Sequence, residues 1–245
     1  MVTTRKFSLL PPKGPEGRNQ KPRKPRKRAN SDNPLTLTDY LKQALIGLIL
    51  GDVSLEKATS NSNIRLRFDQ SSSLRSHSDY LYFLYELFKV YTLSPPKSTT
   101  PERKPDSRTG KFYNSLIFKT RMLPCFNYLW DLFSPEIAPE KVKTVPSNIG
   151  DLLTEVGLAF WILRRDDGGL GSNGTLNLHT DSYTLGEVNL LMEALKRNFN
   201  INSRKSLKRP GQWIIVIPKK EVPKVAELTI GHLRRHPSMY YKIGK

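Results

Sequence analysis

The sequence predicts an α+β protein built from two similar halves behind a basic tail. Three observations carry this. An apolar helix with small residues ends at an aspartate twice, at Asp52 and at Asp167, 115 residues apart. Each of these helices is followed by an alternating strand, an amphipathic helix, a second strand and a further helix. Residues 1–34 show none of this patterning. The expected organisation is therefore a tail over 1–34, a first half over 35–149 and a second over 150–245.

In the first half, Thr36, Thr38 or Asp39 caps a helix running from Tyr40 to about Leu50. Leu45, Ile46, Leu48, Ile49 and Leu50 nearly encircle it, so it is buried on most sides. It stops at Gly51-Asp52. Asn63 to Gln70 alternates, with Ile64, Leu66 and Phe68 on one face and Arg65 and Arg67 on the other. That is a half-buried strand with a basic face. Ser78 to Tyr91 reads as a core helix, Phe112 to Thr120 as a strand, and Leu123 to Phe133 as an amphipathic helix.

In the second half, Asp151 or Thr154 begins a helix that ends near Asp166-Asp167. Thr175 to Thr180 is a strand. Thr184 caps Leu185 to Phe199, with Glu187 completing a capping box. Gln212 to Pro218 is a strand and Val222 to Leu233 a last helix.

Charge narrows the function. Forty Lys and Arg against 22 Asp and Glu give a formal net charge of +18, a field that attracts polyanions. Half of that excess lies in the tail: residues 1–30 hold ten basic residues, among them Lys21, Arg23, Lys24, Arg26, Lys27 and Arg28, and one acid, Glu16. Prolines at 11, 12, 15, 22 and 25 forbid a helix there. This excludes a basic amphipathic membrane helix. No run of 18 apolar residues occurs either, which argues against a membrane span. The favoured partner is nucleic acid, with the tail disordered until it meets phosphates. The tail also reads as a targeting presequence, because its first fifteen residues contain no acid. The lone Cys125 excludes a disulfide framework and a cysteine-rich zinc site, and suits a reducing compartment. His77, His179, His232 and His236 show no metal-ligand spacing.

The chemistry points to the two helix ends. Helices pack with close backbones only where small residues such as Gly47, Gly51 and Ala159 sit at the contact. Close packing brings their last residues together, and two carboxylates side by side repel unless hard cations lie between them. Mg²⁺ held by one or two carboxylates and substrate phosphates is the usual phosphodiester arrangement. Against this stands the plainer reading of Asp52 as a helix-end turn residue, which the helix dipole disfavours for an acid. The glycine-rich run Asp166 to Gly174 lacks both the EF-hand spacing and a Gly-Lys-Ser/Thr phosphate loop.

Seven segments, in order, carry a family resemblance: Ile46 to Asp52, Tyr91 to Pro96, Lys143 to Asn148, Leu158 to Leu163, Asp166 to Gly169, Leu178 to Thr184 and Met239 to Lys242. Across about residues 36–245 the chain resembles the LAGLIDADG homing endonucleases of the monomeric, two-motif type. The resemblance implies two pseudosymmetric αββαββα halves, each presenting a saddle-shaped antiparallel sheet to a DNA major groove. Arg65 and Arg67 suit that face, since Arg reads guanine there. It implies that Asp52 and Asp167 hold divalent metal (Mg²⁺), and that Lys143 and Lys242 lie near the scissile phosphates. For both lysines a merely solvated role stays open. It implies a mitochondrial or other organellar protein.

One departure stands out. Arg164-Arg165 lengthens the second motif by two residues, enough to rotate a helix by roughly 200°. The downstream spacing is kept, so the site aligns on Asp167 with a bulge, and the two guanidiniums are candidate phosphate contacts. Two functions follow. The first is a site-specific, Mg²⁺-dependent endonuclease of double-stranded DNA. The second is a non-catalytic RNA-binding maturase or ribonucleoprotein component, whose partner is structured RNA or rRNA.

Overall fold

The computed structural model describes residues 35–71, 75–99, 110, 114–134, 143–163, 170 and 173–233. The basic tail with Lys21, Arg23, Lys24, Arg26, Lys27 and Arg28, and also Arg164, Arg165, Asp167 and Lys242, lie outside the described residues.

Thr38 opens helix α1 (Asp39–Leu50): its side chain accepts from the Leu41 N–H. From Ala44 onward every residue of α1 is buried. Strand β1 (Ser54–Lys57) follows at once and pairs antiparallel with β2 (Ile64–Ser71). Ile64, Leu66 and Phe68 face the core, while Arg65, Arg67 and Asp69 face out. Helix α2 (Arg75–Phe88) ends in a 3-10 turn, Lys89–Tyr91. Strands β3 (Lys97–Ser98) and β4 (Ser115–Lys119) complete a four-stranded sheet of order β1-β2-β4-β3. The helix expected from Leu123 begins as a 3-10 turn at Pro124 and becomes α-helical as α3 (Asn127–Phe133). Phe68 stacks on Phe118 at 4.3 Å between ring centres and binds the sheet to α2 through Phe88.

The second half opens with α4 (Ile149–Leu152) and α5 (Glu155–Ile162). Of the two starts left open by the sequence, Thr154 is the cap of the long helix, accepting from the Gly157 N–H. Helix α5 ends at Ile162 with Leu163 as its C-cap, short of the expected end near Asp166-Asp167 and directly before Arg164-Arg165. Strand β5 (Leu176–His179), helix α6 (Leu185–Phe199), strands β6 (Arg204–Arg209) and β7 (Gln212–Ile217) and helix α7 (Val222–Leu233) follow among the described residues. The sheet order is β5-β7-β6, and Leu170 bridges Leu176 where β1 pairs β2 in the first half. The second sheet thus repeats the first strand for strand, with its outermost member reduced to that bridge. Strands β1, β3 and β6 fill places in the αββαββα order that the resemblance implies, but the residue patterning had not located them. The capping box on α6 is formed as expected.

The halves meet through α1 and α5, which cross with almost no space between backbones. A Cβ built on Gly47 would lie 1.8 Å from the Gly157 carbonyl oxygen. The crossing is pinned by Thr154 Oγ1 donating to Gln43 Oε1 at 2.9 Å. Gly47 sits where the sequence put it, but its nearest neighbour is Gly157. Ala159 is buried within α5, and Gly51 is the C-cap of α1.

Candidate functional site

Asp52 stands one residue beyond the C-cap of α1, so the carbonyls of that helix end decide where it points. Every one of them is taken. Gly47 O accepts from the Gly51 N–H at 3.0 Å, and Leu48 O from the Val53 N–H at 3.0 Å. Lys143 Nζ donates to Ile49 O and, at 2.8 Å, to Gly51 O. Tyr183 Oη donates to Leu50 O at 3.2 Å. The last carbonyls of a helix have no partner within it, so an external grip of this kind fixes the turn that follows. α1 has no basic residue in its last turn; the Lys143 ammonium supplies the cation that the helix dipole favours there.

The two gripping side chains come from elsewhere in the chain and share an anchor. Lys143 lies in the connection between the halves, where the Val145 N–H donates to Glu187 Oε1 at 2.8 Å. Tyr183 lies in the turn after β5, closed by its own N–H on Thr180 O at 3.0 Å. The next residue, Thr184, is bound to Glu187 Oε2 through its N–H and its hydroxyl, both at 2.7 Å. Glu187, the capping-box residue of α6, therefore holds both segments.

Asp52, Asp69, Gln70 and Tyr80 line a cavity of about 20 Å³ beneath this turn, room for one water-sized group. Burial pushes the Tyr80 hydroxyl well up, and the nearby Asp52 charge pushes it the same way, so the ring stays neutral beside the carboxylate. The donors here are carboxylate and amide oxygens, with no thiol or imidazole among the cavity residues. That set suits a hard divalent cation, which needs only one or two carboxylates. Among the described residues no cluster of three or more His, Cys, Asp or Glu is placed to hold a metal.

The outward face of the first sheet is a charge network. Glu56 accepts from Arg65 Nε at 2.7 Å and from Lys119 Nζ at 3.0 Å, and lies 3.7 Å from Arg67 Nη1. Arg67 also pairs with Asp69 at 2.9 Å. Burial raises the Glu56 carboxyl, but the hydrogen bonds from Lys119 and Arg65 outweigh it and hold the group below its ordinary value. Arg65 and Arg67 are thus brought together, each fixed by an acid.

The corresponding face of the second sheet is different. Arg204, Lys208 and Arg209 on β6 are exposed, and a register shift between Leu207 and Arg209 marks a bulge at Lys208. Lys208 lies 3.3 Å from Asp181, which also faces His179 at 3.3 Å. Sequence reasoning passed over these cations and Glu56. A signal was present: residues 194–220 hold eight basic residues (Lys196, Arg197, Arg204, Lys205, Lys208, Arg209, Lys219, Lys220) and no acid.

Two like halves, αββαββα in the first and the same order in the second with its first strand reduced to a bridge, are joined through a helix pair in backbone contact. Each exposes one face of an antiparallel sheet, and together they define the class of single-chain proteins with a doubled helix motif. The LAGLIDADG DNA endonuclease family matches residues 42–225, and the chain belongs to that family. It is 30% identical over 215 residues to a cytochrome b mRNA maturase, bI2, of Debaryomyces hansenii, spanning 85% of this chain and 75% of that one. It is 29% identical over 214 residues to a probable intron-encoded endonuclease of Wickerhamomyces canadensis, spanning 85% of each. Among solved structures, the homing endonuclease I-WcaI bound to its DNA recognition sequence superposes with a TM-score of 0.72 at 28% identity, over 85% of this chain and 88% of that one.

Proposed function

We propose that this chain is a site-specific endonuclease that hydrolyses both strands of a DNA duplex with Mg²⁺, working as a monomer in an organelle. The observation that carries this is the end of α1, where Asp52 lines a small cavity with Asp69 and Gln70, a lysine grips the same turn and every helix carbonyl is engaged. In this reading Asp52 and Asp167 hold the cation. A bound Mg²⁺ would neutralise phosphate charge and acidify a coordinated water. Lys143, already fixed within the turn, places a positive charge next to the phosphate that Asp52 faces, and Lys242 does the same for the other strand. The sheet faces lie in the major groove, with Arg65 and Arg67 over bases. Arg164, Arg165 and the basic tail, including Lys21, Arg23, Lys24, Arg26, Lys27 and Arg28, lie on phosphates. The likeness to a homing endonuclease on its recognition sequence supports duplex DNA as the partner.

The test uses the full-length chain and a randomised duplex pool enriched by binding. Cutting in Mg²⁺ is expected from wild type. Asp52→Asn should lower it by about a hundredfold or more while keeping affinity, since removing a preorganised charge at the reacting centre costs on that order. A second reading, an RNA-binding maturase, is favoured by the maturase among the relatives. A wild type that cuts no duplex in Mg²⁺ yet binds structured RNA in a salt-sensitive way would replace the first reading with the second.

A further inference from the structure

We propose that Tyr183 is a positioning residue for Asp52: the second half of the chain holds the carboxylate-bearing turn of the first. The inference rests on the reading of Asp52 as a metal-holding group. Tyr183 is 2% exposed, so its hydroxyl sits where an unmade hydrogen bond is costly, and its oxygen reaches Leu50 O, two residues before Asp52. The residue belongs to neither doubled motif. It sits in the turn that leaves β5, and β5 and β7 are tied at this point by Thr180 Oγ1 donating to Trp213 O at 2.7 Å. That turn carries Asp181, which faces Lys208 and His179 on the exposed side of the second sheet. A continuous path of bonded groups therefore runs from the open face of the second sheet, through Tyr183, to the backbone of the first helix end.

The arrangement has a second strand. Glu187 holds Thr184 on one side and Val145 on the other, and Val145 lies two residues from Lys143, which grips the carbonyls on either side of Leu50. Ile49, Leu50 and Gly51 are thus held from the second half and from the connection between the halves. Each of these grips comes from a side chain at least 92 residues away in sequence. A small shift at one carbonyl displaces the following carboxylate, and positioning of this kind acts on metal affinity and on rate ahead of DNA affinity.

Tyr183→Phe removes one oxygen and leaves the ring packed. Directly excited Tb³⁺ luminescence, with the lanthanide standing in for a hard cation, reads the site without any DNA; the Mg²⁺ dependence of cutting an enriched duplex reads it in action. The expected result is a five- to tenfold rise in the Tb³⁺ and Mg²⁺ concentrations needed for half-saturation, with duplex affinity within twofold of wild type. Glu187→Gln, which loosens the same grip from a different residue, should shift both in the same direction. Asp52→Asn should abolish both signals. If it does and Tyr183→Phe gives wild-type curves, the positioning role is wrong although Asp52 holds metal. If Tyr183→Phe lowers duplex affinity and melting temperature while its Mg²⁺ curve stays put, the hydroxyl is merely structural and the inference is overturned. If Asp52→Asn retains both signals, the reading of Asp52 has failed and the inference with it.

Discussion

The two halves share a topology and differ at their helix ends and on their outward sheet faces. α1 runs 12 residues and ends in a turn whose carbonyls are all engaged, whereas α5 runs 8 residues and stops at Ile162, before an inserted Arg164-Arg165. On the first sheet the cations Arg65, Arg67 and Lys119 are shared among Glu56 and Asp69; on the second, Arg204 and Arg209 carry no ion pair among the described residues. A duplicated fold thus keeps its core pattern strictly and lets helix ends and sheet faces diverge. Core positions are fixed by packing from all sides. A helix end needs only some partner for its carbonyls, and a sheet face needs only to match its ligand.

The sharpest way to break the comparison is at the crossing, where the two glycines are unequal. Gly47→Ala places a Cβ 1.8 Å from a backbone oxygen that has nowhere to go. We expect a loss of about 3 kcal/mol or more, because relief requires the helices to part. In a chain of this size that is a fall in melting temperature of roughly 6–12 °C. At Gly157 the same Cβ would meet Gln43 O and Leu153 Cδ1 at 3.2 Å. The strain there is offset by the gain in helix propensity of about 1 kcal/mol, so Gly157→Ala should stay within about 1 kcal/mol of wild type. Equal effects in thermal melts would show that the crossing is symmetric after all.

Deleting Arg164-Arg165 sharpens the contrast between the helix ends. With a bulge absorbing the insertion, deletion relieves local strain on the order of 1–3 kcal/mol and keeps or raises Mg²⁺-dependent cutting by a few fold. Cutting that first emerges on deletion would mean the insertion disables the second aspartate in the natural protein. The smallest effect tests the sheet faces. Glu56 is held below its ordinary value of 4.5, so its stabilisation is complete above that pH and is lost as pH falls through the depressed value. Urea unfolding of wild type and Glu56→Gln should differ by about 0.5–1 kcal/mol at pH 7, and the difference should vanish in acid once the pH has fallen below the depressed value. A gap that is independent of pH would remove the carboxylate from the account.

α1 was legible because its apolar residues nearly encircle it, and α6 because a capping box and a helical stripe coincide on it. β1 and β6 were not. β1 is four residues with one apolar side chain, and β6 has a single leucine among four cations, so neither offers the alternation that marks a half-buried strand. Their pairing is dictated by neighbours distant in sequence. The motifs named Asp52 and Lys143 as candidates, yet the grip of Lys143 and Tyr183 on the end of α1 was not legible. Lys143 lies 92 residues from the carbonyl of Gly51, and Tyr183 lies 133 from that of Leu50. Gly157 went unread for a related reason: a glycine three residues into a helix shows its purpose only when the facing backbone is known. Glu56 drew no reading from the sequence, because only the pairing of β1 with β2 sets it opposite Arg65.

The contact between Gly47 and Gly157 has one more consequence. A joint made of side chains can be re-spaced by exchanging a leucine for an alanine, but two backbones already touching have no slack to trade. The separation of the halves is then a fixed gauge, set by the thickness of two peptide chains and insensitive to drift elsewhere. On the proposed reading, in which both strands of a duplex are cut, such a gauge sets the offset between the two points of attack. New recognition faces can be tried on either sheet without altering the cut, because the tool is re-gripped while the distance between its blades stays the same.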